Sequence, residues 1–286
     1  MNLREAPRLG GTLSKNSRPQ NVVYSGLLAA ATALLVGAPL VKAFTIYLVI
    51  FLVYALITSI NNYYDIEVDK LNNRHDNPLA YGKLTLRQVQ LFCGACLVTV
   101  SCLQLVLVQP VSLILVVVGL VLGLVYSLPT ISIQSRGLLA TVLLASWYGI
   151  IPLLLGNAQG TTWRTLNLIL LSAMQLLLLS PVLLAKDYKD RVGDAATGKR
   201  TPLVRYGKKV TATVAAVSGL MGLVIFVSIY DRQFFVQIGL SLLYSYLLYR
   251  LHVQAGAVRK LERLLLSAVM LTMLLLSLKA GLHHNY

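Results

Sequence analysis

Ten acidic residues occur in the chain, and seven of them fall in two short stretches. The first stretch holds Asp65, Glu67, Asp69 and Asp76, and the second holds Asp187, Asp190 and Asp194. Asn61, Asp65 and Asp69 stand at i, i+4 and i+8, so one helical face carries all three. Asn62 adjoins them. Asp187, Asp190 and Asp194 stand at i, i+3 and i+7, again one face. Carboxylates stacked in this way repel unless a cation lies among them. Two such stacks that face each other suit Mg²⁺, which takes oxygen ligands, keeps waters and bridges to phosphates. Asn61, Asp65, Asp69, Asp187, Asp190 and Asp194 are therefore the candidate metal ligands. The interleaved bases Lys70, Arg74, Lys186, Lys189, Lys199 and Arg200 suit the remaining charge of a diphosphate. Solvated charge flanking apolar helices is the plain alternative. An ion pathway is another, although its acids would more often sit deep in the membrane.

The elements that must position these groups are set by hydropathy. Of 286 residues, 57% are hydrophobic and only 12% are charged, against about 25% in soluble domains. Mean hydropathy is +0.72. A soluble enzyme and a disordered chain are both excluded by this balance. A bilayer core takes about 20 apolar residues per helix, and that ruler marks stretches 22–40, 44–64, 88–107, 111–128, 138–158, 165–185, 210–229, 234–250 and 264–281. Continuous runs of this length argue against a β-barrel, whose strands alternate. The expectation is an all-α, polytopic bundle of nine transmembrane helices in a single domain spanning 1–286. A polar N-terminal segment, 1–21, precedes it, and two active-site loops, 65–87 and 186–209, carry the acids.

Lys and Arg orient the bundle. With the N-terminus inside, 21 of the 25 basic residues fall on the inner side and only Lys42, Arg164, Arg232 and Lys279 on the outer. This is a positive-inside pattern. It places the N-terminus and both acidic stretches in the cytoplasm and the C-terminal His283-His284-Asn285-Tyr286 outside. The net charge of +15 then reads as loops facing anionic lipid, not nucleic acid. Cys93, Cys96 and Cys102 lie in one apolar run and read as packing. His252 reads as a surface residue. No leader with an apolar segment precedes the first span, which points to a prokaryotic cell membrane.

These residues resemble a known family. Asn61-Asn62-Tyr63-Tyr64-Asp65-Ile66-Glu67-Val68-Asp69 is similar to the first aspartate-rich motif, NDxxDxxxD, of the UbiA superfamily of intramembrane prenyltransferases. Lys186-Asp187 through Gly193-Asp194, followed by Gly198, Thr201 and Gly207, resembles the second motif. Arg18-Pro19 resembles the common opening, Asn77-Pro78-Leu79 the segment after the first motif, and Tyr126-Ser127-Leu128-Pro129 the end of the fourth span.

The resemblance implies Mg²⁺-dependent transfer of a prenyl group from a prenyl diphosphate to a lipophilic acceptor through an allylic cation. It assigns catalytic roles to Asp65, Asp69, Asp190 and Asp194. Arg74, Arg136, Lys186, Lys199 and Arg200 become diphosphate ligands, and Asn62 and Tyr126 pocket residues. An aromatic acceptor is favoured on frequency. The alternatives are a carotenoid or glycerol-lipid acceptor, a terpene cyclase of the same fold, and a non-catalytic transporter or scaffold. Three departures stand out. Asn62 replaces the usual aspartate, which removes a negative charge. Ser132 and Gln134 stand where relatives carry lysines, leaving Arg136 as the nearest cation to substitute.

Overall fold

The computed structural model describes residues 6–18, 22–160, 165–229, 234–254 and 260–283. Among them there is no strand. Helix α1 spans Ala6–Ser17, α2 Val23–Leu35, α3 Leu40–Tyr64, α4 Ile66–Leu71, α5 Leu86–Leu107 and α6 Pro110–Ser127. Then come α7, Leu138–Ala145, and α8, Ile151–Asn157, joined without a break by a π-helical segment, Ser146–Ile150. Helix α9 spans Thr165–Ala196, α10 Pro202–Ile229, α11 Phe234–Val253 and α12 Lys260–His283. Each apolar stretch marked in the sequence overlaps one of these helices or, at 138–158, the run from α7 to α8. Six helical runs among the described residues are long and apolar enough to cross a membrane: α3, α5, α6, α7 to α8, α9 and α10. Arg164, Arg232 and the terminal His284, Asn285 and Tyr286 lie outside the described residues, as does Pro19 of the Arg18-Pro19 opening.

Local chemistry sets the helix ends. Thr85 caps α5 in a reciprocal capping box with Gln88, which satisfies two amides that the helix leaves open. Pro110 opens α6, where its missing N–H costs nothing. Gly207 (φ 76°, ψ 172°) interrupts α10 one turn after its start, in a conformation that side chains with a Cβ avoid. Helix α8 crosses α2 at Gly156, where an added Cβ would lie 2.3 Å from the carbonyl oxygen of Ala29.

Two apolar clusters hold the bundle. One joins α2 to α9, α10, α11 and α12 around Met174, Leu178, Phe226, Tyr244 and Met273. The other joins α2 to α3, α5, α6 and α8 around Ile46, Val49, Leu107 and Leu155. Helix α2 contributes to both. The outer faces of α5, α6 and α10 leave Leu105, Ile114 and Leu220 exposed, as surfaces facing lipid do.

Two expectations are corrected. The second acidic stretch is not a loop: α9 continues through it to Ala196, and α10 begins at Pro202, so only five residues connect them. A helix already ordered in the bilayer continues by adding one hydrogen bond per residue, and charged side chains at its end do not stop it. His252 is not a free surface group. Its Nε2 lies 2.9 Å from the carbonyl oxygen of Pro181, and its ring meets Tyr188 edge-on. The cysteines are free thiols, and Cys96 packs in an apolar cluster between α3 and α5.

Candidate active site

Helix α3 ends at Asp65 (φ −95°, ψ 12°), and α4 restarts at once. The backbone hydrogen bonds Asp65 N–H to Asn61 (2.9 Å) and Asp69 N–H to Asp65 (2.7 Å) persist through the break. The expected face of Asn61, Asp65 and Asp69 is therefore kept but bent. In α9, Asp187, Asp190 and Asp194 lie on one unbroken helix. All six candidate metal ligands line a single cavity of about 1000 Å³.

The two motifs brace each other with crossed ion pairs. Lys199, just after the second motif, donates to Asp65 at 2.5 Å. Arg74, just after the first, pairs with Asp190 at 3.1 Å and with Asp76 at 3.1 Å. Asn72 accepts the Gly193 N–H at 2.7 Å, tying the loop after α4 to α9 directly. Lys186 donates to the Tyr126 hydroxyl at 3.2 Å and lies over that ring.

Asp69 is the deepest acid of the first motif, 3% exposed. Arg18 reaches it at 3.3 Å, and Asn77 donates to the same oxygen at 2.8 Å. Burial pushes the Asp69 carboxyl above the usual range, while Arg74, Arg18 and Asn77 pull it down. Asp76 also feels burial, but Arg18 at 3.2 Å and Arg74 outweigh it and hold this carboxyl below the usual range. Buried acids stay charged only where cations and donors replace water.

Of the expected diphosphate ligands, Arg74, Lys186 and Lys199 line the cavity. Arg136 and Arg200 do not. Both are exposed, and the structural use of Arg200 is its carbonyl oxygen, which accepts the Gly137 N–H at 3.1 Å. Lys70 is likewise exposed and outside the cavity. Arg136 therefore lies outside the cavity. Gln134, buried at that place, accepts instead from Lys199 at 3.3 Å.

Tyr126 lines the cavity as expected, and Asn62 does not. Asn62 is fully buried and donates to the carbonyl and side-chain oxygens of Asn16 at 2.9 and 3.0 Å. Asn16 in turn donates to Ser59 at 2.7 Å. The residue that replaces the family aspartate is thus an anchor for α1, not a pocket residue.

Sequence reasoning missed several groups that the fold brings in. Arg18 and Asn77 were visible only as parts of short motifs. Tyr24, Tyr54, Trp147 and Tyr148 also line the cavity, and no motif marks them.

The donor set is oxygen-only, which fits Mg²⁺. Among the described residues no three His, Cys, Asp or Glu stand close enough to hold a metal alone. That also fits Mg²⁺, which is commonly held by one or two carboxylates plus waters and substrate phosphates.

An all-helical bundle with membrane-length apolar helices, and a cavity lined by both charged and apolar, aromatic residues, defines an intramembrane protein. A family model described as the UbiA prenyltransferase family matches residues 22–278, and the chain belongs to that family. It is a UbiA-type prenyltransferase. Digeranylgeranylglyceryl phosphate synthase of Thermococcus kodakarensis is 26% identical over 211 residues, 73% of this chain and 73% of that one. The protein of the same name from Methanothrix thermoacetophila is 30% identical over 219 residues, 72% of this chain and 75% of its own. A UbiA homologue from Archaeoglobus fulgidus, solved bound to DMAPP and Mg²⁺, superposes with a TM-score of 0.71 at 14% identity, covering 95% of this chain and 99% of that one. Both relatives are named for a glyceryl phosphate, and neither for an aromatic acceptor.

Proposed function

We propose that the protein transfers a prenyl group from a prenyl diphosphate to the hydroxyl of a prenylated glycerol phosphate, with Mg²⁺, at a cavity facing the cytoplasm of a nine-span bundle. The observation that carries this reading is the cavity itself: a mouth of paired acids and bases continuous with apolar walls. Its apolar lining includes Tyr54, Ile57 and Trp147 and also Leu251, Leu264, Leu266 and Met270 from α11 and α12, with Lys189 and Arg263 in the same cavity. A donor and an acceptor that both carry long prenyl chains and phosphates need more apolar wall and more cations than a small phenol does.

Asp65, Asp69, Asp190 and Asp194, with Asn61 and Asp187 beside them, would hold the metal. When bound, Mg²⁺ neutralises charge on the leaving diphosphate. The chain's own groups do the rest. Lys199 and Arg74 exchange their carboxylate partners for phosphate oxygens, and Lys186 adds a third cation. These cations stabilise the charge that develops as the C1–O bond breaks, a gain larger in the transition state than before it. The acceptor hydroxyl forms the new bond to C1, and its proton passes to the departing diphosphate. The apolar walls keep water from the allylic cation. Tyr126, held by Lys186, fixes the position of that cation donor.

The test is product formation in nanodiscs from geranylgeranyl diphosphate, offered geranylgeranylglyceryl phosphate, a hydroxybenzoate or no acceptor. Pyrophosphate release that needs the glycerol phosphate and Mg²⁺, and stops with EDTA, supports the reading. Release only with the phenol restores the aromatic acceptor. Equal release without acceptor makes the protein a cyclase.

A further inference from the structure

The inner end of the large cavity is closed by three rings. Tyr54 and Trp147 stack with centroids 5.1 Å apart and planes 16° from parallel. Tyr148 leans on both at 5.4 Å, and its hydroxyl contacts that of Tyr54. A second, apolar hollow of only about 20 Å³ is lined by Leu115, Val116 and Ile151 and by the same three rings. The rings therefore border both spaces.

The backbone is built to hold them. Trp147 and Tyr148 lie in the π-helical segment Ser146–Ile150, a widened turn of the kind that recurs at functional sites. Pro152 follows and has no N–H to give the carbonyl of Tyr148. The hydroxyl of Ser25 on α2 donates to that carbonyl at 2.7 Å instead. On α6, Gly119 packs beside the indole: a Cβ there would lie 3.5 Å from Trp147 Nε1, an ordinary contact distance.

We propose that Tyr54, Trp147 and Tyr148 form the floor of the donor slot and set the longest prenyl chain that the enzyme binds well. Tyr54 lies about three turns along α3 from Asp65, roughly 16 Å at 1.5 Å per residue. A chain whose diphosphate sits at the acids runs down α3 past Ile57 and Thr58, both cavity-lining, until it meets the rings. Each isoprene unit above the floor buries apolar surface and adds affinity. The first unit that cannot pass the floor adds none. The inference rests on the prenyl diphosphate donor of the proposed function and is independent of the acceptor.

The test uses non-hydrolysable prenyl thiolodiphosphates of increasing length, from geranyl to geranylfarnesyl, with Mg²⁺ and the full chain in nanodiscs. The chain has two tryptophans, so Trp163→Phe leaves Trp147 as the sole indole. Its emission should stay constant for short analogues and shift at the first length that touches the floor. At that same length the gain in affinity, about tenfold or more per unit before it, should stop. Trp147→Ala should move the stop by one isoprene unit toward longer chains while binding of the geranyl analogue is kept. An indole emission that ignores chain length overturns the floor, as does a stop unmoved by Trp147→Ala. Failure of every analogue to bind overturns the donor reading instead.

Discussion

Asn62 occupies the place of a family carboxylate and serves another purpose. Its amide donates twice to Asn16, which is how the buried end of α1 is fixed and Arg18 carried to Asp69 and Asp76. Asn62→Asp loses those donors and buries a charge facing a carbonyl. It should lower stability by roughly 1–3 kcal/mol, read as a lower midpoint of thermal unfolding in detergent, with no gain in Mg²⁺ affinity. The acids that line the cavity should behave differently. Asp65→Ala, Asp69→Ala, Asp190→Ala and Asp194→Ala should each reduce the rate of Mg²⁺-dependent pyrophosphate release by at least about 10²-fold, the scale of lost electrostatic stabilisation in a site. Full activity in all four would remove them from the metal site.

At the scale of elements, the decisive contact is α9 against the loop after α4. Gly193 presents its N–H to Asn72, and a Cβ at Gly193 would come within 2.6 Å of the Asn72 side chain. Gly193→Ala should push the two motifs apart by a fraction of an ångström. The expected outcome is a fall in kcat/KM on the order of 10²-fold with the helical circular dichroism unchanged. Gly156→Ala is the contrasting case. Its Cβ would meet backbone on α2, which cannot swing aside as a side chain does. Overpacking of this kind costs about 1–3 kcal/mol, so that variant should unfold at lower temperature whatever its activity.

For the whole molecule, the charge asymmetry predicts which face of the membrane the cavity opens on. Lys83 follows the first motif, whereas Lys42 lies near the start of α3, at its other end. In a chain with Cys93, Cys96 and Cys102 replaced by serine, an impermeant maleimide should label Lys42→Cys on intact cells. Lys83→Cys should react only after permeabilisation. The reverse pattern would invert the bundle and set the acids on the outer face.

The sequence by itself determined where the apolar helical runs lie, the two acidic faces and the family, because each is a local property. Hydropathy over 20 residues locates an apolar helix, and a period of 3.6 aligns Asp187, Asp190 and Asp194 wherever that helix sits. Charge was read equally locally, and there the reading failed for some residues: Lys70, Arg136 and Arg200 lie near the motifs in sequence but outside the cavity in space. Only the tertiary structure decided which cations face which acids. Lys199 meets Asp65, Arg74 meets Asp190 and Arg18 meets Asp69 because separate helix ends converge at one mouth. It alone also decided the aromatic floor. Tyr54 from α3 and Trp147 from the π-helical segment become neighbours through the packing of α3, α6 and α8, and ring contacts between distant segments leave no periodic trace in the chain.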